Sequence, residues 1–173
     1  GGKDVDTFYG QAGNDHLYGF TGNDVLDGGD GNDRIVGGLG NDQISGGAGN
    51  DYILAQTGND VISTGTGNDE VVASLGDDVI TIDGSGSKTI NGGAGTDSLT
   101  INHSGISSLA DFSSISRTAA SSSSLSESVY TFAYANGDAI TFTGIETLVL
   151  GGDTQTIVSM GNSQMNAIWS AAE

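Results

Sequence analysis

The chain has no cysteine and no proline, and only 4 of its 173 residues are lysine or arginine. Without cysteine there is no disulfide framework, no thiolate metal site and no cysteine nucleophile. With those 4 cations set against 22 acidic residues, the formal net charge is -18. No basic patch can therefore gather nucleic acid or an anionic membrane, and cations are the natural partner. No apolar run approaches the roughly 20 residues needed to span a bilayer, so insertion in a membrane is not expected. The lack of proline, and of a glycine at every third residue, excludes collagen although there are 30 glycines. Aromatic residues make up only 6%, so composition alone would also suit a disordered chain. The length suits one domain. The chain opens Gly1-Gly2 with neither an initiator methionine nor a signal peptide. It is expected to be a piece of a longer protein whose export address lies elsewhere or near the C-terminus.

What is present is a repeat. Gly-Asn-Asp recurs at 13–15, 22–24, 31–33, 40–42, 49–51, 58–60 and 67–69, and Gly76-Asp77-Asp78 continues the frame. Two residues after each aspartate stands an apolar side chain: Leu17, Leu26, Ile35, Ile44, Ile53, Ile62, Val71 and Ile80. The pattern around it predicts a three-residue strand with one side chain pointing inward. Asp6 and Phe8 fit the same frame, and after Ile80 the phase slips by one residue to reach Lys88, Ile90, Asp97 and Leu99. The repeat is thus placed at residues 4–99.

Beyond it the period is lost. Residues 104–115 could form a short helix or irregular turn, and the serine-rich stretch 117–128 reads as a loop. Strands are predicted at 128–134, 139–143 and 146–150, the first two joined by a two-residue Asn136-Gly137 hairpin turn. A short helix is predicted at 161–173. Residues 100–173 are accordingly read as a β-rich C-terminal cap, since solenoid ends otherwise expose strand edges and core. The alternative is a flexible tail carrying a secretion signal.

The unit G-G-x-G-N-D-x-U-x, with U a large aliphatic residue, is complete at 28–36, 37–45 and 46–54. It resembles the calcium-binding nonapeptide of the RTX (repeats-in-toxin, hemolysin-type) family. The resemblance implies an all-β, right-handed parallel β-roll in which two repeats make one turn of 18 residues. It further implies calcium in the six-residue turns, and export by type I secretion machinery to the cell surface or exterior. Glycine-rich turns can supply carbonyls and aspartate a short carboxylate, the oxygen ligands that calcium prefers.

If residues 18 apart stack, one edge of the roll carries Asp6, Asp24, Asp42, Asp60, Asp78 and finally Asp97. The other carries Asp15, Asp33, Asp51 and Asp69. The expected ligands are these aspartates with backbone carbonyls near Gly22, Gly28, Gly31, Gly37, Gly40, Gly46, Gly49, Gly58 and Gly67. Counting intervals gives up to about eight calcium ions. Lys88 stands where the next aspartate of the second edge belongs, either as a terminator whose ammonium replaces a calcium or as drift in an unneeded repeat. Tyr18, Val36, Leu54 and Val72 form an outward apolar row, expected to be covered by the C-terminal segment, with a partner surface as the rival.

His16 and His103 have no metal or catalytic motif around them, no G-x-S-x-G elbow is present, and nothing cradles phosphate. No catalytic residue is assigned, and the fragment is not expected to be an enzyme. The expected role is a calcium-dependent folding unit of a secreted adhesin or toxin, with flanking domains of the same chain as neighbours. Alternatives are an accessory module of a secreted protease, lipase or alginate epimerase and, less favoured, a surface- or ice-binding module.

Overall fold

A computed structural model of the chain describes residues 2–102, 114–118, 129–150 and 153–156. Every regular element among them is a strand. One sheet contains, in spatial order, β1 (Thr7–Tyr9), β3 (Val25–Asp30), β5 (Gln43–Ala48), β7 (Val61–Ser63), β9 (Val79–Ile82), β11 (Ser98–Ile101), β15 (Thr147–Leu150) and β16 (Asp153–Thr156). The other begins with β2 (His16–Thr21), β4 (Arg34–Leu39), β6 (Tyr52–Thr57), β8 (Asp69–Leu75) and β10 (Lys88–Ala94). It continues through β14 (Ala139–Thr143), β13 (Val129–Ala133) and β12 (Ser114–Thr118). From β1 to β11 the chain alternates between the sheets, and each strand pairs in parallel with the one two elements on. The result is a parallel β-solenoid of about 18 residues per turn, a β-roll.

The register follows from the repeat. Leu17, Ile35, Ile53, Val71 and Ile90 stack in one row and Phe142 extends it. Phe8, Leu26, Ile44, Ile62, Ile80 and Leu99 make the facing row, extended by Leu148. These side chains meet between the sheets in one narrow core. Each fully buried aliphatic contributes roughly 1.5 to 3 kcal/mol, but there is little room for more than one layer.

Most strands are longer than the three residues predicted: β2 to β6 each run for six. The glycine-rich starts of successive turns also stack and continue the hydrogen-bond ladder, as where Gly29 pairs with Gly47. Glycine is needed there for two different reasons. Gly40 has φ +125, and a Cβ on it would strike the Gly22 carbonyl. Gly37 keeps an ordinary φ but has no space for a side chain.

The C-terminal residues add strands to both sheets. β14 pairs in parallel with β10, and β15 with β11. β13 returns antiparallel on β14, and β12 on β13. Tyr130 stacks on Phe142 at 5.4 Å and Phe132 meets it edge-on at 5.2 Å, giving this end of the core more apolar bulk than a repeat provides. The hairpin has a three-residue connection, 135–137, because Tyr134 N–H donates to the Asp138 carbonyl and Gly137 N–H to that of Tyr134. Gly137 takes φ +97, as the third residue of such a loop does.

Two further sequence expectations change here. Ser114 and Ile115 start strand β12 and are not part of a helix or turn, and Arg117 and Thr118 complete that strand and not a loop. The expected terminal helix at 161–173 lies outside the described residues. The described C-terminal strands extend the sheets edgewise and do not lie over the row Tyr18, Val36, Leu54 and Val72. Tyr18 is 42% exposed and the other three are half-buried, and the rest of the expected cover, 103–113, 119–128 and 157–173, lies outside the described residues.

Candidate calcium cages along the two edges

The aspartates of each edge are bound to one another through the backbone. On the first edge the amides of Asp6, Asp24, Asp42, Asp60 and Asp78 donate to Oδ1 of Asp24, Asp42, Asp60, Asp78 and Asp97, at 2.7 to 2.9 Å. On the second the amides of Asp15, Asp33 and Asp51 donate to Asp33, Asp51 and Asp69 at 2.8 to 3.0 Å. The neighbouring asparagines form a second ladder outside that runs the other way: Asn32 N–H donates back to Asn14 Oδ1 at 2.8 Å and Asn50 N–H to Asn32 Oδ1 at 2.7 Å. One oxygen of every ladder carboxylate after the first of its edge is thereby held in place.

Except at Asp69, the other oxygen has no donor. Oδ2 of Asp15, Asp24, Asp33, Asp42, Asp51, Asp60, Asp78 and Asp97 is buried without a hydrogen-bond donor. A buried, unsatisfied carboxylate oxygen is costly, and so many in register point to a cation. The glycines five residues before the aspartates show where it fits. A Cβ on Gly19 would lie 2.5 Å from the Gly37 carbonyl oxygen and 2.6 Å from Asp24 Oδ2. On Gly46 it would lie 2.6 Å from the Thr64 carbonyl and 2.7 Å from Asp51 Oδ2. On Gly37 it would meet Asp42 Oδ2 at 2.5 Å and the Ala55 carbonyl at 2.8 Å. At these glycines a carboxylate of one turn and a carbonyl of the next thus converge where a side chain is missing. Among the described residues no three acidic or imidazole side chains converge, so these cages depend on backbone oxygens, which suits calcium and not zinc or copper.

Lys88 shows what such a cage accepts. Its Nζ donates to Asp69 Oδ2 at 2.7 Å and to the carbonyls of Gly65, Gly67 and Ser85 at 3.0, 2.6 and 3.0 Å. Both charged side chains are fully buried. The ammonium sits among one carboxylate and three carbonyls, two from its aspartate's turn and one from the next. Asp69 is correspondingly absent from the unsatisfied set. Lys88 thus occupies the position opposite Asp69 at which the next aspartate of the second edge was expected. The residue five before Asp69 is Thr64, where the other ladder cages have glycine or, before Asp60 and Asp78, Ala55 and Ala73.

The carbonyl expectations divide accordingly. Those of Gly28, Gly37 and Gly46 line the cradles of the preceding turns, and Gly67 binds the ammonium. Gly22, Gly31, Gly40, Gly49 and Gly58 hold the repeat position of Gly67. The carbonyls at the positions of Gly65 and Ser85 were missed, because nothing in residue type marks a backbone oxygen. Two ladder ends also differ from expectation. Asp6 Oδ2 accepts a bond from Gly2 N–H at 2.8 Å, and Asp97 is not terminal, since its amide donates to Glu146 Oε2 at 2.7 Å. The motif Gly144-x-Glu146-x-Leu148 could have signalled this, being Gly-x-Asp-x-U with a longer acid.

In the metal-free roll, burial pushes the carboxyls of Asp51, Asp60 and Asp97 up to about 6, only partly offset by the backbone amide each accepts from. Neighbouring ladder carboxylates add to the rise. Asp42 and Asp78 are raised for the same first cause. The metal-free site thus resists holding its full negative charge.

A family model described as the RTX calcium-binding nonapeptide repeat matches residues 1–35, 27–62, 45–80 and 82–100. The chain belongs to this family, whose repeats bind calcium and form β-roll modules of secreted proteins. Proteins with these repeats typically leave the cell by type I secretion. A comparison with curated proteins finds no match.

Two outcomes follow from this geometry. A carboxyl raised in the fold above its ordinary 3.8 stabilises the fold relative to the unfolded chain below that value, and this contribution is lost as pH rises through about 6. In chelator, far-UV circular dichroism should therefore show more β structure near pH 4 than at pH 7, while the calcium needed to fill the cages increases on acidification, since protons compete for the same carboxylates. A metal-free signal that falls on acidification would contradict the assigned burial of the ladder. Separately, Lys88→Asp should turn the ammonium cage into an ordinary one, and native mass spectrometry should count one more bound calcium than in the parent chain. An unchanged count would mean that Lys88 does not stand in for an ion.

Proposed function

We propose that this chain is the calcium-dependent folding unit of a larger type I-secreted bacterial protein of adhesin or toxin type, and that it carries out no catalysis itself. The observation that carries this reading is the row of buried Oδ2 atoms with no donor. Leaving Asp97 aside, seven of the eight lie between one ladder aspartate and the next of the same edge. Each of those seven cages would hold one calcium, the aspartate supplying Oδ2 and the turn carbonyls the remaining oxygens. The ion removes the charge repulsion and satisfies the orphaned atoms in one step. Binding free energy then becomes folding free energy, because the cage exists only when two turns are stacked. At the low calcium of a cytoplasm the chain would stay extended and fit for export, and it would fold on reaching millimolar calcium outside.

Calcium titration into the chelated chain at neutral pH should raise the far-UV β signal cooperatively, with several ions bound per chain by calorimetry. Magnesium at equal concentration should do much less, since it demands a tighter octahedral shell and keeps its waters. Full β content in chelator at pH 7, or equal response to magnesium, would overturn the proposal.

A further inference from the structure

The first-edge ladder continues past Asp97 into a segment with no repeat. Ser98 pairs with Thr147 in the register of β11 and β15, so Glu146 stands opposite Asp97, where a further ladder aspartate would be. The Asp97 amide donates to Glu146 Oε2 at 2.7 Å, the bond that each earlier ladder amide makes to the next Oδ1. In return the amides of Glu146 and Thr147 both donate to the Asp97 carbonyl at 3.0 Å. The ladder has skipped 49 residues of sequence without losing its geometry.

The cradle is present too. Gly92 is five residues before Asp97, and a Cβ on it would collide with the Gly144 carbonyl oxygen and lie 2.7 Å from Asp97 Oδ2. This is the arrangement at Gly19, Gly37 and Gly46. Asp97 is fully buried and its Oδ2 has no donor. What differs is the second turn. Only Ile145 separates Gly144 from Glu146, where four residues separate Gly92 from Asp97. The Glu146 carboxylate nevertheless reaches the ladder position, where it accepts the Asp97 amide. Gly144 takes φ +61 and is buried against the Gly93 amide, which favours glycine at this bend.

We propose that Asp97, Glu146 and the Gly144 carbonyl form a further calcium site, between the last repeat turn and the non-repeat strand β15. The carbonyls of Gly93 and Gly95, at the positions of Gly65 and Gly67 in the Lys88 cage, complete its oxygen set. The proposal rests on the calcium reading of the ladder and adds a consequence. The ion bridges two parts of the chain that share no motif, so docking of residues 139–150 is linked to calcium as well as to strand pairing. The two edges then end differently. The second closes on a tethered ammonium that is always present, and the first closes on an ion that must be bound.

Anomalous difference density from crystals of the full chain grown in calcium tests this directly. A peak is expected between Asp97, Glu146 and the Gly144 carbonyl, in addition to peaks between successive repeat turns. Peaks in the repeat turns with none at Glu146 would overturn this inference and leave the calcium reading standing, whereas no peak anywhere would overturn both. Glu146→Gln gives a solution test, since the amide oxygen can still accept the Asp97 bond while the charge is gone. Native mass spectrometry should count one calcium fewer than in the parent, and hydrogen exchange of residues 139–150 should need several-fold more calcium for protection. An unchanged count and midpoint would refute the site. Should the variant fail to fold, the density map of the parent chain decides.

Discussion

The roll is built around carboxylates that are buried next to one another with half of their hydrogen-bonding capacity unused. Stacked turns lie ~4.8 Å apart, and two full charges at about 5 Å repel by roughly 3 kcal/mol at an effective dielectric of about 20. A single such pair can be tolerated by moving a side chain. Here the side chain is held, because Oδ1 of each aspartate is bound to the amide of the aspartate one turn back. The bonds that make the ladder regular also prevent it from relaxing, and either a proton or a cation must answer the charge.

The composition follows from this constraint. Turns that aim carbonyls into a cage need left-handed backbone at one point and vacant space at another, and glycine serves both, as Gly40 and Gly37 illustrate. Every ordered glycine increases the conformational entropy lost on folding. The core that opposes this loss is narrow, with rows such as Ile35, Ile53 and Val71 facing Leu26, Ile44 and Ile62. Marginal folding without metal is therefore a consequence of the architecture. At the C-terminal end Tyr130, Phe132 and Phe142 add a cluster of large rings.

The legible part of the sequence was the part under translational symmetry. A spacing of nine assigned Asp24 and Leu26 to their rows, and the one-residue slip after Ile80 was enough to match Lys88 with Asp69 and Asp97 with Asp78. Residue type marked the carboxylates and the ammonium. It could not mark the Gly65 or Ser85 carbonyls, since every residue has one, nor the extra strand length that comes from stacked glycine pairs. Glu146 was hidden for another reason. Its turn has lost the nine-residue spacing of a repeat, so the short Gly144-x-Glu146-x-Leu148 match stands alone in sequence, and the three-dimensional pairing of β11 with β15 puts it back on the ladder.

The dependence of fold on charge neutralisation is tested most directly at the amides of the ladder itself. The N–H groups of Asp24, Asp33, Asp42, Asp51 and Asp60 donate to the next carboxylate of their edge. Amide hydrogen exchange resolved at these five residues, at neutral pH with chelator and then with calcium, reports whether the bonds exist without the ion. The account predicts rapid exchange in chelator and strong protection that appears at all five positions over one narrow range of calcium. Equal protection in chelator, or protection that arises residue by residue at unrelated calcium concentrations, would contradict it.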